Sequence, residues 1–222
     1  MCGIAGFIYK SKNTQEAQDK ITRMINIIDH RGPDSTCAMV GNDFCFATAR
    51  LEIEKINEGI QPILSENKRF ILSFNGEIFN YKDIITKYSF SKNIINSEIK
   101  LLSKLFEIKI FNFIDEIQGQ FAISIYDIFK DILYLFKDRF GIRPLYYKHK
   151  NKAFVYSSEI KSIVAFEGVT PETSPMSIAS TSLFWSNVGN VTSFKDIFQI
   201  PPGCFLKFSK NKLEIKKYWN NP

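Results

Sequence analysis

Between residues 119 and 157, four β-prone runs (119–127, 131–137, 144–149 and 153–157) follow one another with only turns between them. Parallel neighbours need a crossover of a dozen or more residues, so a chain written this way is committed to mainly antiparallel sheets. The rest keeps to the same rule. Cys2 to Tyr9 is short and apolar on both faces, which predicts a buried strand, and further strands are expected near 36–40, 43–49, 69–75, 204–209 and 212–218. Helical spacing of Ala17, Ile21, Met24, Ile25 and Ile28, behind an Asn13/Glu16 capping box, predicts a helix over 13–29. Others are expected at 81–88, at 97–107 with Ser97 as its cap, and near 159–165. Helices that come in pairs suit layers covering stacked sheets, so one α+β domain without repeats or linkers is expected.

At 222 residues such a domain buries on the order of 70% of its unfolded surface and needs no disulfide staples. The formal net charge of +6 raises nucleic acid as a partner. The lysines are scattered singly, however, and the densest cluster, Lys148 to Lys152, reads as a hairpin tip, whereas nucleic-acid binders gather charge along one face. No nucleic-acid partner is expected. Cys2, Cys37, Cys45 and Cys204 show no CxxC and no His/Cys ligand spacing, so free thiols and no metal are expected. The apolar stretch 3–9 is too short for a signal-peptide core, and no run is long enough to span a membrane. A cytoplasmic protein without a membrane partner is the expectation.

Cys2 directly follows Met1. Its small side chain permits removal of Met1, which leaves an α-amine a few bonds from the thiol. A free α-amine has a reference pKa of about 7.7–8.0 and can take the thiol proton near neutral pH. Nucleophile and base then come from one residue. Taken alone, Cys2 reads more readily as a buried strand residue without chemistry.

Seven further motifs follow MCGIAGF in order: RGPDS (31–35), ARLEI (49–53), FNGEIFNY (74–81), DRFGIRPLYY (138–147), Ser158-Glu159-Ile160-Lys161, Pro201-Pro202-Gly203 and Tyr218-Trp219. Together they resemble the class II glutamine amidotransferase domain, and within it the N-terminal half of glutamine-hydrolysing asparagine synthetase, over essentially the whole chain. The resemblance implies an N-terminal-nucleophile hydrolase fold, an αββα sandwich of two mainly antiparallel sheets, spanning residues 2–222 once Met1 is removed. It implies hydrolysis of L-glutamine to glutamate and ammonia through a Cys2 thioester. Arg50 offers a bidentate fork for the substrate α-carboxylate, with Leu51 and Ile53 beside it. Asn75 and Gly76 are implied as the oxyanion hole, although Asn-Gly is also a common tight-turn pair. Glu77 is the candidate partner for the substrate ammonium. Arg31 is expected near the nucleophile, Asp34 is as readily a turn residue, and DRFGIRPLYY reads as architecture. His149 is expected to be solvated in its Lys-rich turn. His30 could pair with Cys2 as in thiol proteases, but the resemblance does not require it.

Two departures stand out. Where the resemblance places an Asp that helps bind the substrate ammonium, this chain has Asn96, which accepts a hydrogen bond without carrying a charge. The ATP-dependent acceptor domain, with its Ser-Gly-Gly pyrophosphate loop, is absent from the sequence, so a fragment or a separate acceptor subunit is expected. No metal, nucleotide or organic cofactor is expected for the glutaminase half-reaction; ATP and magnesium belong to the missing domain. Two alternatives remain, a catalytically idle docking domain and an amidotransferase serving an acceptor other than aspartate.

Overall fold

The four successive strands expected between 119 and 157 are present in the computed structural model, but they divide between two sheets. The structure describes residues 1–10, 13–52, 59–91, 94–168 and 170–220. Its first half runs β1 (Gly3–Ile8), α1 (Thr14–Asn26), β2 (Ser35–Val40), β3 (Phe44–Arg50), β4 (Ile63–Leu64), β5 (Phe70–Ile78), α2 (Tyr81–Lys87), α3 (Glu98–Lys109) and α4 (Phe113–Glu116). The second half runs β6 (Gly119–Asp127), β7 (Ile132–Lys137), β8 (Tyr146–Lys150), β9 (Ala153–Ser157), α5 (Ile160–Glu167), α6 (Pro175–Phe184), β10 (Phe198–Gln199), β11 (Cys204–Ser209) and β12 (Lys212–Lys217). One sheet has the order β10-β8-β9-β1-β3-β2 and the other β12-β11-β7-β6-β5-β4, and every pairing between named strands is antiparallel.

Alternation along each strand sorts the apolar residues into three cores. Ile4, Phe46 and Tyr156 of the first sheet meet Ile71, Ala122, Leu133 and Leu206 of the second, making the core between the sheets. Ala5, Phe7, Ala47 and Val155 face outward onto Ala17, Ile21, Met24 and Ile163 of α1 and α5. Leu72, Phe74, Phe121 and Phe136 face outward onto Ile84, Leu102, Phe106 and Phe113 of α2 to α4. The result is the expected αββα stack.

The chain crosses from one sheet to the other in the DRFGIRPL segment. Asp138 is fully buried and holds this crossing by accepting from the backbone N–H groups of Phe121, Phe140, Ile142 and Arg143 at 2.9–3.2 Å. Pro202 packs close to Gly141, Trp219 lies edge-on to Phe140 at 5.2 Å, and the Tyr218 hydroxyl donates to the Lys137 carbonyl at 2.7 Å. Three motifs distant in sequence are therefore one structural knot.

The helix caps differ in kind. Asn13 Oδ1 accepts from the Glu16 N–H at 2.8 Å, as expected. Ser97 occupies the N-cap position of α3, but its hydroxyl makes no capping bond; the Glu98 carboxylate instead accepts from the Ile78 N–H at 2.5 Å. Tying the helix start to the end of β5 takes the place of a local cap.

Candidate active site

Strand register assembles the predicted residues at one end of the sandwich. Gly3 pairs with Ala49, so Cys2 comes opposite Arg50. Ile4 on β1 and Phe46 on β3 face the space between the sheets. By alternation Cys2, Thr48 and Arg50 share that inter-sheet face. On β5, Ile71 points inward while Leu72, Phe74 and Ile78 point toward the helices, so Asn75 and Glu77 face the first sheet from the second.

Cys2 is half-buried, with Sγ 3.9 Å from the Leu51 carbonyl oxygen. Its own carbonyl accepts from Arg31 Nε at 3.1 Å, and Arg31 Nη1 donates to Glu159 Oε1 at 3.0 Å. The Ile4 N–H donates to Ser158 Oγ at 3.0 Å and the Ser158 N–H to the Ile4 carbonyl at 2.9 Å, fixing the start of β1. Gly32 of RGPDS lies against β3 so closely that a Cβ there would stand 2.3 Å from the Ala49 carbonyl oxygen. Only glycine lets this loop pass so close to the β3 backbone.

Arg50 is buried, and its Nη1 pairs with Glu52 Oε1 at 3.0 Å. Asp34 closes the strand end: its carboxylate accepts from the Glu52 N–H at 2.7 Å and its N–H donates to the Arg50 carbonyl at 3.1 Å. A Cβ on Gly59 would stand 3.6 Å from Arg50 Nη2 and 3.3 Å from Ser97 Cβ. The Asn96–Ser97 segment is thereby brought to the guanidinium side of the site. Ile53, expected beside Arg50, lies outside the described residues.

Asn75 is 1% exposed, and its Nδ2 has no hydrogen-bond partner among the described residues. The backbones of β5 and β6 approach so tightly at Gly76 that a Cβ would sit 2.1 Å from the Gln120 carbonyl oxygen. The Phe74 and Ile78 N–H groups donate to Gln61 and Glu98, away from β6. Alternate N–H groups on a strand share an edge, so the Gly76 N–H points the same way. Glu77 is exposed at the mouth. Arg31 Nη2, Thr48 Oγ1 and Ser73 Oγ are likewise buried without hydrogen-bond partners among the described residues. Each such group costs about 1–3 kcal/mol, and by strand alternation Thr48, Ser73 and Asn75 all lie on the inter-sheet face, which suits a site that binds a polar ligand.

The remaining candidates are placed elsewhere. His30 Nε2 contacts Glu159 Oε1 at 3.0 Å, which gives it a carboxylate partner rather than the thiol. His149 is half-buried and edge-on to Phe208 at 5.0 Å, not the solvated turn residue that its lysine neighbours suggested, because its strand packs on the inter-sheet core. Burial pushes the Cys45 thiol up to about 12, against a weaker opposing hydrogen bond from Gly41, and also raises Cys204. Both are poor nucleophiles. Among the described residues no cluster of three or more His, Cys, Asp or Glu has the geometry to hold a metal, and no helix is long and apolar enough to cross a membrane.

Sequence reasoning assigned nothing to three acids that organise the site: Glu52 on Arg50, Glu98 on β5 and Glu159 on Arg31. Glu52 and Glu159 lie inside quoted motifs and Glu98 two residues after Asn96, but a carboxylate's partner is set by tertiary approach, which spacing alone does not encode.

The family described as "Glutamine amidotransferase domain" matches residues 1–219. Among curated relatives, the chain is 36% identical over 165 residues to the glutamine-hydrolyzing asparagine synthetase 2 of Bacillus subtilis (strain 168), covering 73% of this chain and 22% of that protein. It is 29% identical over 196 residues to the glutamine-hydrolyzing asparagine synthetase B of Escherichia coli (strain K12), covering 87% and 34%. The chain therefore spans well under half the length of these relatives. Among solved structures it resembles an allosteric regulatory enzyme of purine biosynthesis (TM-score 0.72, 16% identity, 99% of this chain and 50% of that one). It also resembles a glutamine phosphoribosylpyrophosphate amidotransferase from B. subtilis (TM-score 0.67, 15% identity, 99% and 50%). At such identities the likeness is one of fold alone, that of the two-sheet αββα stack described above.

Proposed function

Because the chain belongs to the glutamine amidotransferase domain family, we propose that it hydrolyses L-glutamine to glutamate and ammonia, with Cys2 as nucleophile after removal of Met1. The observation that carries this reading is the position of Cys2: it heads β1 with its carbonyl gripped by Arg31, on the inter-sheet face shared with the buried Asn75 amide, whose Nδ2 has no partner among the described residues.

In this reading the free α-amine takes the thiol proton and the thiolate attacks the substrate side-chain amide carbon. The oxyanion is met by Asn75 Nδ2 and the Gly76 N–H. The ammonium returns its proton to the departing nitrogen, and ammonia leaves a thioester on Cys2. Water then attacks, giving its proton to the α-amine, and glutamate departs as the thiol is restored. Arg50 takes the substrate α-carboxylate, in competition with Glu52 for the guanidinium, while Glu77 and Asn96 face the ammonium. No metal, nucleotide or organic cofactor enters this half-reaction. The relatives' names support an asparagine-synthetase-type unit as the ammonia acceptor, and ATP and magnesium belong to that unit.

Processed protein with a verified N-terminal cysteine should release glutamate from glutamine, and a glutamine-analogue electrophile should add its mass to the N-terminal peptide alone. Cys2→Ala, or an uncleavable N-terminal extension, should abolish both with the fold retained. Labelling at Cys37, Cys45 or Cys204, or full activity with the extension in place, would overturn the assignment.

A further inference from the structure

We propose that Glu159 is a positioning residue for the nucleophile, holding Arg31 against the Cys2 carbonyl and setting the charge felt at the Cys2 thiol and α-amine. This rests on Cys2 being the nucleophile and adds a residue to which the mechanism above assigns no step.

The geometry is a relay of two contacts. The Arg31 side chain is only 8% exposed, and it reaches the Cys2 carbonyl with Nε and Glu159 Oε1 with Nη1, at 3.1 and 3.0 Å. Glu159 stands where β9 gives way to α5. In the same segment Ser157 Oγ donates to the Ile4 carbonyl at 3.2 Å, and Ser158 bonds both the Ile4 N–H and carbonyl. Residues 157–159 therefore hold the strand that carries Cys2 and also the cation that grips it.

Among the described residues, the charged and titratable groups that face Glu159 are His30 and Arg31 from the turn that opens RGPDS, Lys161 from α5 at 3.3 Å, and Tyr146 from β8. Burial works to raise the Glu159 carboxyl, but hydrogen bonds from Arg31, Lys161 and His30 outweigh it and keep it below the usual carboxylate range. It is therefore an anion throughout the neutral range. At Cys2 the neighbouring charges among the described residues are Arg31 and, across the strand pair, Arg50, which is paired with Glu52. A guanidinium without its carboxylate stabilises a thiolate and destabilises an ammonium, so both titrations at Cys2 move to lower pH. Removing the guanidinium instead moves them to higher pH.

The test is the rate of Cys2 alkylation by iodoacetamide, read on the N-terminal peptide from about pH 5 to pH 10, in processed wild type, Glu159→Gln and Arg31→Gln. The Glu159→Gln midpoint should fall by about half a pH unit and the Arg31→Gln midpoint should rise by a similar amount. Glu159→Asp should restore most of the wild-type profile. Steady-state glutaminase kinetics of Glu159→Gln should show kcat down several-fold with KM within about twofold, since the contact acts on the nucleophile and not on bound substrate. Superimposed alkylation profiles, in whichever of the two Gln variants folds, overturn the proposal. Shifted profiles in a wild-type background that releases no glutamate from glutamine leave the positioning role standing and overturn the proposed function instead.

Discussion

In the proposed mechanism Arg50 meets an incoming α-carboxylate with one nitrogen already on Glu52, so the strength of that clamp depends on the geometry of the whole fork and not on charge alone. Arg50→Lys keeps the charge and loses the planar pair of donors, and it should weaken glutamine binding by about 1–3 kcal/mol. KM from steady-state glutaminase kinetics reads this directly, and an unchanged KM would remove Arg50 from the role. Asn96 makes the opposite case. It precedes α3 beside Ser97, on the guanidinium side of the site, and Asn96→Asp restores a carboxylate near the substrate ammonium. A second carboxylate also repels Glu77, so the gain should be near the low end of a charged hydrogen bond, about 1 kcal/mol. It should appear in KM more than in kcat, because the ammonium is remote from the scissile amide and its contact changes little on the way to the transition state. Kinetics at low salt that show weaker glutamine binding in Asn96→Asp would contradict that placement.

At the level of elements, β5 carries both the proposed oxyanion hole and a tight steric constraint. At Gly76 a methyl would overlap the Gln120 carbonyl oxygen at 2.1 Å and approach Phe121 Cα at 2.7 Å, and both obstacles are backbone. Gly76→Ala must therefore pry β5 from β6, at a cost of about 2 kcal/mol or more, and should lower the urea midpoint as well as activity. A variant of wild-type stability would show that the two strands are free to part. What the sequence showed of these elements follows from what each buries. The α1 pattern was legible because Ala17, Ile21, Met24 and Ile25 all face one core, and the strands of 119–157 because turns bound them. The α6 helix was not, although Ser174 caps it and Pro175 opens it. Met176, Ile178, Leu183 and Phe184 are all exposed, so its apolar residues follow no single buried stripe. Glu159 stood in plain view inside a quoted motif, yet its meaning lies in Arg31, 128 residues away.

In the whole molecule, two sheets are pressed together, and the face between them must hold an apolar core at one end and polar chemistry at the other. Tyr156 and Ser124 already bridge the layers by a buried hydrogen bond of 2.9 Å. Lys137 is the costlier guest. It ends β7 with Leu133 and Leu135 of the same face in the inter-sheet core, it is fully buried, and its Nζ has no hydrogen-bond partner among the described residues. Burial pulls its pKa down to about 8, although the neighbouring Asp138 pulls the other way. The sign of the linkage follows from the order of the two pKa values. Below about pH 8 the amine is protonated in both folded and unfolded chains, and the folded state bears the full penalty of the buried charge. Between about pH 8 and the unfolded value near 10.4 the unfolded chain holds a proton that the folded one has released, so this group makes stability rise with pH, by on the order of 3 kcal/mol in all. Lys137→Met fills similar space without the charge. Urea unfolding should find the variant more stable than wild type at pH 7, with the difference shrinking toward pH 10 as wild type gains. Taking the difference between the two proteins cancels the tyrosines and lysines that titrate in the same range. A variant less stable than wild type at pH 7, or a difference that does not vary with pH, would mean that the ammonium is compensated where it sits and that the sandwich bears no such cost.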